Sequence, residues 1–115
     1  MTKINVPTYE DSIGGITLSN QRYEIRFTHN FECDFWTFGL YTATGNPIFE
    51  GIKIVPNYIL NPIGNFPNSP PGVFVADSKQ EKITKNDFQN GLAQFLYVPY
   101  NEFPVQVGGT YGFTA

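Results

Sequence analysis

Along this chain apolar residues recur at every second position, and no stretch carries the three-and-four spacing of an amphipathic helix. Ile4 and Val6 open a short strand that Pro7 ends. Ile16 and Leu18 lead through Ser19-Asn20 into QRYEIRF, where Tyr23, Ile25 and Phe27 alternate with Arg22, Glu24 and Arg26. That alternation predicts a hairpin with one apolar and one wet face. In CDFWTFGLY both faces are largely apolar, with Trp36, Phe38 and Leu40 on one and Phe35, Thr37 and Tyr41 on the other. This predicts a central strand covered on both sides. TATGNP is a turn by composition, and in the IFEGIKIV that follows, Gly51 marks a bulge or a close backbone approach. Strands are predicted again over GVFVAD (72–77), over LAQFLYVP as far as Pro99, and around 105–107. The polar stretch SKQEKITKNDFQNG reads as an exposed excursion with one helical turn near 86–89. The fold class that follows is all-β: a small single-domain barrel or sandwich of about seven or eight short, mostly antiparallel strands. One domain spans 1–115, with its core over about 16–103.

One stretch breaks the pattern. ILNPIGNFPNSPPGVF carries Pro62, Pro67, Pro70 and Pro71, each of which removes a backbone donor and holds the preceding residue out of helix. Residues 59–71 therefore form an irregular Pro/Asn-rich loop. A long loop inside a compact domain is a linker, a functional loop or a mistaken assignment. Ile59, Leu60, Ile63, Phe66 and Val73 are too apolar for a solvated linker, and proline excludes a strand. Two readings stay open. The loop projects and grips a neighbour, or it folds back to plug its own barrel, in which case Ile63 and Phe66 are core.

Composition sharpens the picture. Aromatic residues make up 17% of the chain and charged residues 15%. A core of this size does not hide so many rings, so some are expected to face a partner. The net charge is −3 with a pI near 4.9, and no lysine-arginine cluster is present, which argues against nucleic acid or an anionic membrane surface as partner. No apolar run has the length of a bilayer span, and MTKINVPTYEDS lacks the apolar segment of a signal peptide, so a soluble cytoplasmic product is expected.

Chemistry is hard to place. Cys33 is the single cysteine, read as a small buried hydrophobe beside Phe35 and Trp36, and His29 is the single histidine, read in the turn FTHNFE. A histidine and a cysteine at this spacing could form a nucleophile–base pair, but nothing nearby orients either. The acidic pairs Glu10-Asp11, Glu32-Asp34 and Asp77-Glu81 follow no metal-loop pattern. No phosphate-binding loop or nucleophile elbow occurs. The expectation is no catalytic residue, no metal ligand and no cofactor.

The order of the pieces carries a resemblance. QRYEIRF is followed by WTFGLYTATGNPIFEGIKIVPNYIL, then GVFVADS, then LYVPYNEF. This succession resembles the phage baseplate plug family, small structural proteins of contractile-tailed bacteriophages. The positions that match are Gln21, Arg22 and Tyr23; Trp36, Leu40 and Tyr41; Gly45 and Pro47; Gly51, Val55, Tyr58 and Leu60; Asp77; and Leu96, Tyr97 and Pro99, over roughly 16–103. The Pro/Asn stretch and the aromatic, Gly-rich tail at 104–115 stand outside the resemblance. The resemblance implies a virion component of the tail baseplate, assembled in the host cytoplasm. Its partners would be other baseplate, hub or spike and tail-tube proteins, met in multiple copies of a symmetric assembly with no catalysis, no nucleic acid and no membrane.

Under that reading Tyr58, Leu60, Phe66, Tyr100, Phe103, Tyr111 and Phe113 are candidate partner contacts, because they fall in loops and the tail. Tyr23, Ile25, Phe27, Trp36, Phe38 and Leu40 are candidate core. The alternative from a different class is a small-ligand or carbohydrate-binding β module, which would gather two or three rings on one sheet face instead.

Overall fold

The computed structural model describes residues 2–60, 69–102, 106–107 and 110–111, the last two pairs by their backbone course. Phe66, Phe103 and Phe113 lie outside the described residues, as does the middle of the Pro/Asn stretch. Two antiparallel sheets stack as a sandwich, with no closed barrel. One is the meander β2 (Asp11–Leu18), β3 (Gln21–Asn30), β4 (Phe35–Thr42) and β5 (Pro47–Lys53), in that order. The other has the order β1 (Thr2–Ile4), β7 (Ala93–Pro99), β6 (Gly72–Ser78). A two-stranded pair, β8 (Gln106–Val107) and β9 (Thr110–Tyr111), makes nine strands among the described residues.

Local chemistry sets the corners. β2 and β3 are joined by two residues, Ser19 and Asn20, with φ of 50° and 66°. Both central positions are left-handed, as the right-handed twist of a two-residue hairpin demands. At Gly51 φ is 68° and the β4–β5 pairing slips, with Phe38 opposite Ile52 but Leu40 opposite Phe49, so the glycine accommodates a bulge. The turn at 31–34 is held by Asn30, whose side-chain oxygen accepts the Glu32 and Cys33 amides at 3.1 and 3.2 Å.

The core lies between the sheets and is largely aromatic. Tyr23, Ile25 and Phe27 from β3 and Trp36, Phe38 and Leu40 from β4 are buried against Phe74, Ala76, Phe95 and Tyr97 of the other sheet. Ring pairs cross the interface edge-on or tilted, Phe27 to Phe95 at 5.2 Å, Phe38 to Phe95 at 5.0 Å and Phe38 to Phe74 at 5.2 Å between centroids. Such geometries set the positive edge of one ring against the negative face of the next.

Several particulars differ from the sequence reading. The strand pair with both faces closed is β6–β7, whose outward Val73, Val75, Leu96 and Val98 form a second buried cluster with Ile59 against it. The outward face of β4 is half-open at Phe35 and Thr37. The polar stretch after β6 is exposed at Lys79, Glu81, Lys82 and Asn86, but it is anchored to the sandwich through Ile83 and Asp87, which are buried. Asp87 folds it by accepting from the Thr84 amide and hydroxyl at 2.7 and 2.8 Å. The single helical turn expected near 86–89 is kept within it, closed by the Asn90 amide donating to the Asn86 carbonyl at 2.9 Å.

Candidate assembly surface

Cys33 and His29 exchange the places expected of them. Cys33 is exposed in the turn, because β4 begins only at Phe35. His29 is buried in β3, opposite Trp36, with the two ring centroids 5.1 Å apart. Its Nε2 donates to Asp34 Oδ1 at 2.8 Å, and the Lys85 amide donates to the same oxygen at 3.0 Å. The hydrogen bond from His29 comes first among the causes that hold the Asp34 carboxyl below the usual carboxylate range. The other ring nitrogen, Nδ1, is buried and without a hydrogen-bond partner among the described residues. This cluster ties the turn at 31–34 to the loop at 82–85, where the Lys82 amine also donates to the Cys33 carbonyl at 3.0 Å. It is a structural joint: the imidazole is committed to Asp34 and the thiol faces solvent.

The outward face of the four-stranded sheet is polar. Arg26 donates to both carboxylate oxygens of Asp11, at 2.8 and 2.7 Å, which holds Asp11 below the usual carboxylate range. Arg26 also bonds the Tyr41 hydroxyl, which in turn bonds Glu50. These residues border a shallow cavity of about 450 Å³. A sugar platform would need rings laid open here, but Tyr41 is buried at its edge and Phe35 lies under the Lys53 amine, 4.9 Å from the ring centre. Among the described residues no group of three or more His, Cys, Asp or Glu could hold a metal ion. No helix among them is long and apolar enough to cross a membrane.

The exposed rings lie elsewhere. Tyr9 precedes β2, Phe31 sits in the β3–β4 turn, Tyr58 follows β5, and Tyr100 begins a 3₁₀ turn after β7. Tyr58 is 68% exposed. Leu60, two residues on, is a correction to the sequence reading: it is 8% exposed and belongs to the sandwich's own core. The cause is backbone pairing. The Asn57 amide donates to the Ala76 carbonyl at 2.8 Å and the Leu60 amide to the Phe74 carbonyl at 3.0 Å, so 57–60 runs along the edge of β6 and turns Leu60 inward. Of the tail, Tyr111 lies on β9. Tyr9 and Phe31 escape a reading that looks for contact rings in the proline loop and the tail, although each stands beside turn-forming residues.

A family model described as "Cyanophage baseplate Pam3 plug gp18" matches residues 1–101. The matched span reaches the first residue and takes in the Pro/Asn stretch, which the motif-by-motif resemblance leaves out. The segment from 102 onward falls beyond it. Among curated proteins none matches the chain. A match over this much of the sequence places the chain in a family, and it belongs to the cyanophage baseplate plug family.

Proposed function

We propose that the protein is a structural part of a phage tail baseplate, a plug or hub-region component that links tail tube, spike and neighbouring baseplate subunits without catalysis. It is assembled in the host cytoplasm, in several copies, and stays in the virion tail. Beyond family membership, the observation that carries this reading is the distribution of large exposed rings. Tyr9, Phe31, Tyr58 and Tyr100 project from four separate connections around a closed aromatic core. A part that meets several different neighbours needs anchors on several sides, and aromatic anchors supply much of the energy of such contacts.

The experiment is truncation of these rings to alanine in the phage. Tyr9, Phe31 and Tyr58 stand mostly in solvent, where truncation changes stability by less than about 0.5 kcal/mol, so these purified variants melt as the parent does. Tail assembly fails with Tyr58→Ala and Tyr100→Ala. Normal yields of infectious tails from a variant lacking all four rings would sink the reading.

A further inference from the structure

β2 is the edge of the four-stranded sheet, paired with β3 without a break from Asp11 opposite Thr28 to Leu18 opposite Gln21. The two-residue turn makes Leu18 and Gln21 a mutually hydrogen-bonded pair. The His29 amide donating to the Glu10 carbonyl at 2.7 Å continues the same alternation at the far end. Even-numbered residues of β2 therefore bond β3, and the amides and carbonyls of Asp11, Ile13, Gly15 and Thr17 point to the free edge. Natural edge strands are guarded by lysine, proline, a bulge or shortness. β2 has eight residues, none of them lysine or proline, an unbroken register, and Ile13 60% exposed beside Gly14 and Gly15.

A second observation says what fits there. On the outward face each arginine of β3 leans diagonally over β2. Arg26, opposite Ile13, reaches the Asp11 carboxylate. Arg22, opposite Thr17, lies over Gly15, so close that a Cβ there would collide with its guanidinium. Glycine offers no carboxylate, and among the described residues Arg22 has no ionic partner.

We propose that β2 is the seam of a homodimer, in which β2 of a second copy adds antiparallel about a two-fold axis through Ile13. In that register Asp11 of the partner subunit stands opposite Gly15, beneath Arg22, and the same contact repeats across the axis. The two exposed Ile13 side chains meet on the axis. Only edge-pointing residues face one another, so the outward amides and carbonyls pair. Asp11 is the one charged residue of β2, and its side chain is still 52% exposed beside Arg26, leaving room for a second guanidinium. Such an interface uses the same patch on both subunits, as a two-fold requires, and it adds strand to strand as in other edge recognition. The inference stands apart from the baseplate reading, since it rests on this chain alone.

Light scattering of the purified full chain gives a mass twice its 13.0 kDa. Ile13→Lys and Arg22→Glu each return it to a monomer with an unchanged melting point, the first by opposing two ammonium groups on the axis. In a Cys33→Ser background, Ile13→Cys forms a disulfide-linked dimer under mild oxidation, because residues on the axis face each other at bridging distance. A parent that stays monomeric at about 100 µM, where weak edge-to-edge pairs associate, overturns the proposal. So does a dimer indifferent to Ile13→Lys, or one in which the Ile13→Cys variant does not cross-link. A strand of some other protein on this edge, with the parent monomeric, counts equally against it.

Discussion

Gly72 opens β6 directly beneath Tyr97. A Cβ there would come within 2.6 Å of both the Tyr97 ring and the Val98 carbonyl oxygen. Neither yields: the ring is fully buried, with its hydroxyl 3.0 Å from Ser19 Oγ in the hairpin turn of the other sheet, and the carbonyl is backbone. Gly72→Ala is therefore expected to lose about 1–3 kcal/mol by overpacking, measured as a fall in the urea midpoint. Gly14→Ala has open space around it and is expected to be near neutral. The carboxyls of Asp11 and Asp34 supply a second residue-scale prediction. Arg26 lowers the first and His29 the second. A carboxyl whose folded pKa lies below its unfolded value stabilises the fold above the unfolded pKa, and the gain disappears as pH falls through the folded value. The melting temperature is thus expected to hold from neutral pH down to about 5 and to fall below about 4. Asp34→Asn removes one of the groups responsible, so melts of that variant across the same range should show a shallower acid limb.

At the scale of elements, β4 carries the inner face of the meander between β3 and β5. Leu40 is fully buried there, opposite Ile25 and Phe49. Leu40→Ala is expected to cost about 2–5 kcal/mol, with a lower urea midpoint as the readout. The strands that stand out in the sequence are those whose burial alternates or is complete, such as β3 with its Tyr23-Ile25-Phe27 register and β6 with its apolar run. β2 shows itself only at Ile16 and Leu18, because an edge strand with an exposed isoleucine and two glycines has no period to read. The loop after β6 is legible as polar but not as anchored to the sandwich. What anchors it comes from about fifty residues away, where the Trp36 indole donates to the Thr84 carbonyl at 3.3 Å and Asp34 accepts the Lys85 amide. His29 is hidden for the same reason, as its partner Asp34 sits across a turn that only the Asn30 side chain closes. Which apolar side chains stay exposed is the least legible of all, since exposure of Phe31 or burial of Leu60 depends on where the backbone is tethered, not on residue type.

For the whole molecule, the Pro/Asn stretch has both feet on its own sandwich. Leu60 is bonded to Phe74 on one side, and on the other the Tyr100 amide donates to the Pro71 carbonyl at 3.1 Å. Between these tethers lie residues 62–68, which serve a neighbour if the projecting-loop reading holds. Loop closure costs grow slowly with length, so a short Gly/Ser turn in place of 62–68 is expected to keep stability within about 1 kcal/mol while baseplate assembly fails. A loss several times larger in the isolated chain would identify the segment as a plug of its own fold.

The pairing of β1 with β7, which sets Thr2 opposite Tyr97, also dictates an order of events during synthesis. The meander from Asp11 to Lys53 is made of consecutive hairpins and can close as soon as it leaves the ribosome. The opposing sheet cannot, because its central strand β7 arrives last and β1 has nothing to pair with until then. At bacterial elongation speeds the stretch between β5 and the end of β7 takes roughly 2–10 s to emerge. Through that interval Tyr23, Phe27, Trp36 and Phe38 stand bare on a finished sheet, a nascent-chain surface for chaperones to cover, and any message truncated before β7 releases a product that keeps it bare.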